Sequence, residues 1–129
     1  MYNAGANAYN AYKNNSVNYA SKEQLLMMLL DGVVKFSKIA RQAILDKDIK
    51  KSHENLIKIQ DIFTELMISL DQGAGEWAVQ IFKVYEYIKM RLMEINISKD
   101  IKAMDELMPI IEEIRNTWNE AYEISKGKR

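Results

Sequence analysis

Apolar residues in this chain recur at steps of three and four over four long stretches, and on three of them they exceed what one buried face can use. From Glu76 to Asn96, at about 100° per residue, Trp77, Ile81, Val84, Tyr85, Ile88, Leu92 and Ile95 fall on one stripe of a helix. Val79, Phe82, Met90 and Met93 fall roughly opposite, where a surface helix is ordinarily polar. From Ser21 to Leu45 the core stripe reads Leu25, Leu29, Val33, Phe36, Ala40 and Ala43, with Met27, Leu30, Val34 and Leu45 across from it. An antiparallel bundle buries one stripe per helix. A second stripe needs another cover, and a partner helix is the obvious one.

The pattern predicts an all-α, up-down antiparallel four-helix bundle over 21–125, with helices at about 21–45, 48–70, 76–97 and 99–125, preceded by an extended, mobile segment over 1–20. Ser21-Lys22-Glu23-Gln24 reads as a capping box. Asp48 suits the cap of the second helix, and Ser98 that of the fourth. In the second helix Leu56, Ile59, Phe63, Leu66 and Leu70 make the seam, while Ile57, Thr64 and Ile68 form a weaker second stripe. Gly73-Ala74-Gly75 breaks the chain before the third helix. The fourth has the cleanest seam, Met104, Leu107, Ile111, Ile114, Trp118 and Ala121, with Pro109 inside it. Proline removes one internal hydrogen bond and clashes with the Asp105 carbonyl, which predicts a kink there or a helix beginning afresh at Pro109.

Composition narrows the function classes. In 129 residues the formal net charge is zero, so no basic field favours nucleic acid. There is no cysteine, which excludes disulfides, thiolate metal sites and cysteine nucleophiles. No apolar run has the length of a membrane span, and the Asn- and Tyr-rich first residues do not read as a signal peptide. Direct membrane insertion is therefore not expected, and the protein is expected to stay in the cytosol.

Catalytic chemistry is missing as well. A di-metal bundle needs inward Glu-x-x-His pairs, but the one histidine, His53, has no Glu three residues before it. It reads as a solvated residue near the start of the second helix. Gly73-Ala74-Gly75-Glu76 lacks the Lys and Ser/Thr of a phosphate loop. No cofactor, metal or catalytic residue is assigned, and an enzyme is not expected. Methionine, by contrast, suits a surface that accepts a partner by repacking, and Met27, Met90 and Met93 lie on the second stripes. The candidate binding positions are thus Met27, Leu30, Val34, Ile57, Ile68, Val79, Phe82, Met90 and Met93. Two other readings are a self-associating structural or adaptor protein and, more remotely, a metal-binding bundle enzyme.

Asn7-Ala8-Tyr9-Asn10-Ala11-Tyr12 with Asn15-Ser16-Val17, followed by Ala20-Ser21-Lys22-Glu23-Gln24-Leu25-Leu26-Met27-Met28-Leu29, resembles the start of the bacterial flagellin export chaperones, the FliS family. So do Glu54-Asn55-Leu56, Ile59-Gln60-Asp61-Ile62 and Ile68-Ser69-Leu70-Asp71, then Tyr85-Glu86-Tyr87-Ile88, Arg91-Leu92, Ile95-Asn96, and finally Ile114-Arg115 with Trp118-Asn119-Glu120-Ala121. The likeness lies in the succession of these pieces over nearly the whole chain. Two places depart from the family's pattern: Gln72-Gly73-Ala74-Gly75 stands where a lysine and paired glycines are usual, and Pro109 is unusual inside the last helix.

The resemblance implies a cytoplasmic type III secretion chaperone. It would bind the C-terminal segment of flagellin, prevent premature polymerisation and deliver it to the flagellar export gate. The nine candidate positions then become the client site. The resemblance also implies that the N-terminal segment, with Tyr9, Tyr12 and Val17, covers part of the apolar surface and docks to the gate.

Overall fold

A computed structural model describes residues 21–127, and three of its four α-helices start where a local side chain accepts one of the first free amides, while the third starts at Gly75 without a side-chain cap. Helix α1 spans Lys22–Leu45 and opens on the capping box. The Gln24 amide donates to Ser21 Oγ at 3.2 Å, and the Ser21 amide donates to Gln24 Oε1 at 2.8 Å. Helix α2 spans Ile49–Ser69 and is capped by Asp48, whose side chain accepts the Lys51 amide at 3.0 Å. After a single 3-10 turn at Gln72–Ala74 comes helix α3, Glu76–Ser98, and then α4, Ile101–Gly127. The cap of α4 is Asp100, not Ser98. Asp100 Oδ1 accepts the amides of Lys102 at 2.9 Å and Ala103 at 3.3 Å, while Ser98 Oγ only supports the turn by accepting the Asp100 amide.

The helices form an antiparallel four-helix bundle, and no strand occurs among the described residues. α1 packs on both α2 and α4, α2 packs on α3, and α3 meets α4 less extensively. The core runs down the middle through Leu29, Leu30, Val33, Leu56, Ile59, Phe63, Tyr85, Ile88, Leu92, Met104, Leu107 and Ile111. Exposed ion pairs, Arg41 to Asp105 at 2.5 Å and Arg115 to Asp31 at 2.8 Å, tie α1 to α4 in register. Being exposed, they add little stability. Phe63 against Tyr85 and His53 against Asn96 fix the α2–α3 register.

Several sequence expectations shift for identifiable reasons. Met27 and Leu30 are core residues, 7% and 1% exposed, because α1 is flanked on two sides and buries a wider arc than one stripe. Trp77 and Ala121, expected on core stripes, are exposed near the bundle end. α4 does not restart at Pro109; it runs unbroken, with the ring on the exposed side. His53 is exposed but not simply solvated, since its ring hydrogen-bonds the Asn96 side chain.

Candidate functional site

Of the nine positions proposed from the sequence, the structure keeps six on one surface and moves three elsewhere. Met27 and Leu30 are buried, and half-buried Val34 packs against the core on the side of α1 that faces α4. The other six lie on α2 and α3. Ile68, Met90 and Met93 are 72%, 52% and 50% exposed, and Ile57, Val79 and Phe82 are half-buried. Tyr9, Tyr12 and Val17 lie outside the described residues.

The antiparallel register brings these six together. With Phe63 opposite Tyr85 and His53 opposite Asn96, Ile57 stands level with Met93, and Ile68 stands level with Val79 and Phe82. Helical spacing turns all of them away from the core stripes Leu56-Ile59-Phe63-Leu66 and Tyr85-Ile88-Leu92-Ile95. The outer side of the α2–α3 pair therefore carries a band of apolar residues toward both ends, with Thr64 and exposed Glu86 between the two groups. Ile97, 87% exposed, extends it at one end. Thr64 turns its hydroxyl inward, donating to the Gln60 carbonyl at 3.0 Å, so its methyl is left for the band. Charged residues such as Glu54 and Lys83 flank these apolar positions, and Glu86 falls among them on α3; apolar side chains exposed in this way suit a protein-binding surface.

Sequence reasoning missed a second apolar feature, built around Trp118. The indole is half-buried, not sunk in the core, and its Nε1–H donates to the Tyr85 hydroxyl at 2.9 Å. Trp77 packs edge-on against it at 6.1 Å. On one side of Trp118 is a cavity of about 300 Å³ at the end of the bundle, lined by Leu25, Leu26, Leu29, Leu66, Leu70 and Tyr85. On the other is a cleft of about 200 Å³ between α1 and α4, lined by Leu26, Met27, Ala121 and Tyr122. Both open close to Ser21. Seam spacing alone put Trp118 in the core. The signal that could have corrected it is its position toward the C-terminal end of α4, where a seam residue has fewer neighbours.

The electrostatics are quiet. Burial pushes the Tyr85 hydroxyl up to about 12, partly opposed by the Trp118 N–H, so the phenol stays neutral and acts as an acceptor. No cluster among the described residues could hold a metal ion, and no described helix is long and apolar enough to cross a membrane. What this surface can do is bind apolar side chains.

The model of the family described as flagellar protein FliS matches residues 5–125. The chain belongs to the FliS family. This is a family of flagellar secretion chaperones and not of enzymes. A FliS relative from Bacillus subtilis (strain 168), named flagellar secretion chaperone, is 35% identical over 123 residues, covering 95% of this chain and 92% of that protein. The one from Escherichia coli (strain K12) is 30% identical over 106 residues, 79% of this chain and 76% of its own length. The fold is shared with a crystal structure described as a flagellar chaperone from bacteria, with a TM-score of 0.72 at 15% identity over 92% of this chain and 97% of that one. A secretion chaperone needs no catalytic group, and the FliS bundle presents apolar surface instead.

Proposed function

We propose that this flagellar export chaperone holds the C-terminal segment of flagellin in the bacterial cytoplasm and delivers it to the export gate, and that the α2–α3 band is where the segment lies. The observation that carries this reading is the alignment of Ile57, Ile68, Val79, Phe82, Met90 and Met93 on one outer face in a member of a secretion-chaperone family. A disordered client ordering on such a face gains burial and loses chain entropy, which keeps its affinity moderate and its release feasible. Methionines at two of the exposed positions let the face repack around unlike side chains. The segment with Tyr9, Tyr12 and Val17 is proposed as the detachable cover and gate-docking element, and the nearness of both Trp118 clefts to Ser21 supports a cover that starts there.

The test uses a synthetic peptide of the flagellin C-terminal segment, titrated calorimetrically into the full chain. Replacing Ile68, Met90 and Met93 together by serine should weaken binding by at least about tenfold. The melting temperature should hold, because these side chains are at least half exposed. Unchanged affinity would move the client off this band.

A further inference from the structure

Opposite in character to the α2–α3 band is the outer groove of the α1–α2 pair. It is open, about 600 Å³, and lined by Lys35, Phe36 and Ile39 from α1 and by Lys50, Lys51 and Lys58 from α2. Half-buried Phe36 and Ile39 form an apolar floor. Lys58 holds its Nζ 5.2 Å from the centre of the Phe36 ring. Two carboxylates share the rim. Asp48 is engaged in capping α2, and Glu54 stands one turn from Lys50 and from Lys58. None of the four lysines forms an ion pair of 4 Å or less among the described residues. In a chain of zero formal net charge, this is a local excess of positive charge around an aromatic floor. α4 and α3 flank this hairpin on its other sides, so no helix of the described bundle covers the groove.

We infer that the α1–α2 groove docks an acidic amphipathic segment of a second protein, separate from the flagellin site. Charge complementarity selects this occupant. Carboxylates on the segment would meet the four ammonium groups, and an apolar anchor would seat over Phe36 and Ile39. A groove between antiparallel helices suits a third helix, read through anchors at three- and four-residue steps. The sum of lysines and carboxylates is modest. The field therefore steers and orients such a segment, and the apolar floor supplies the hold. This proposal does not depend on where flagellin binds.

The experiment measures fluorescence anisotropy of a labelled synthetic helical peptide, glutamate-rich with leucines at three- and four-residue steps and one phenylalanine, against the full chain. Binding should appear and weaken steeply with added salt. Reversing Lys35, Lys51 and Lys58 to glutamate should weaken it by about tenfold or more. Reversing Lys83, Lys102 and Lys126, which alters net charge equally on other faces, should leave it within about twofold. Phe36→Leu in an otherwise unchanged groove should weaken it as well, which a purely electrostatic contact would not show. Absence of binding overturns the inference, and so does equal loss in the two triple variants. Displacement of the peptide by a short single-stranded RNA at lower concentration than by unlabelled peptide also overturns it, since the groove would then be a nucleic-acid site.

Discussion

The indole of Trp118 donates its N–H to the buried hydroxyl of Tyr85, 2.9 Å away, and so closes the seam where α3 and α4 pack least. Tyr85 is 1% exposed and stacks edge-on with Phe63 at 5.8 Å, so the bond reaches from the cavity beside Trp118 into the core. Trp118→Phe keeps an aromatic ring but removes the donor together with part of the indole, leaving a buried hydroxyl short of a partner. That should cost about 1–2 kcal/mol in urea unfolding. Trp118→Ala would lose more, but less than a fully buried tryptophan, because the ring is only partly buried. A Trp118→Phe variant as stable as the parent would show that the hydrogen bond contributes nothing to stability.

The raised Tyr85 ionisation has a pH signature. The unfolded phenol titrates near 10, and the folded one is pushed up to about 12 by burial. The folded state then holds its proton more tightly. The stabilising contribution is whole below pH 10 and is lost as pH rises from 10 through about 12. Melting temperatures taken from pH 8 to 11.5 should fall more steeply for the parent than for Tyr85→Phe, which has no proton to lose. Parallel curves would contradict it.

Phe82 and Leu30 separate the two roles that an apolar residue takes here. Leu30 is 1% exposed, so Leu30→Ala should cost about 2–5 kcal/mol of stability. Any loss of flagellin binding should follow the loss of helical signal. Phe82 is half-buried on the outer side of α3, so Phe82→Ala should cost less stability yet weaken binding of the flagellin peptide by roughly 1.5–3 kcal/mol. If Phe82→Ala lowers the melting temperature sharply and leaves affinity intact, Phe82 belongs to the core.

These cases also show how far the pattern of residues could be read. The helical period and the caps at Ser21 and Asp48 were legible because they are local, whereas at α4 the two neighbouring candidates Ser98 and Asp100 were not told apart. Ser21 with Gln24 and Asp48 with Lys51 satisfy amides three residues away, and the α3 core stripe from Tyr85 to Ile95 needs only a helical wheel. Met27 and Leu30 were misread because a wheel assumes one buried face, whereas α1 has neighbours on two sides. The clefts beside Trp118 were invisible for a related reason. They arise from how four helix ends diverge, which no single helix encodes. The outward stripes of α2 and α3 were readable helix by helix, but not which of the nine positions share a face, since level alignment of Ile57 with Met93 depends on the inter-helix register.

Lys47 offers a stability gain in the α1–α2 turn. It sits at φ 57°, in the left-handed region, just after the end of α1. A non-glycine residue costs about 1 kcal/mol there, and glycine adopts the conformation freely. Lys47→Gly should therefore raise stability by a few tenths to about 1 kcal/mol, after the greater chain entropy it gives the unfolded state. The side chain is exposed and forms no ion pair among the described residues, so little is lost with it. Denaturant midpoints would measure the change, and a lower midpoint would show that the turn draws on the lysine in some other way.

Two glycines predict changes of opposite sign under the same substitution. Gly75 joins the 3-10 turn to α3 at φ 150°, and a Cβ there would stand 3.0 Å from Trp77 Cδ1 and 3.1 Å from its Nε1. Gly75→Ala forces both a strained backbone and a displaced indole, and should cost about 1–3 kcal/mol. Because Trp77 leans on Trp118 at 6.1 Å, the displacement should also show in near-ultraviolet circular dichroism and tryptophan emission. Gly32 lies within α1 at ordinary helical geometry, and the nearest atom to an added Cβ is Phe36 Cε2 at 3.8 Å, a normal contact. Gly32→Ala should then stabilise the protein by about 0.5–1 kcal/mol through helix propensity, with no change in the tryptophan signals. Thermal melts and emission spectra of the two variants side by side would decide it. A Gly75→Ala protein with unaltered stability and tryptophan environment would mean that the turn does not hold Trp77 against Trp118.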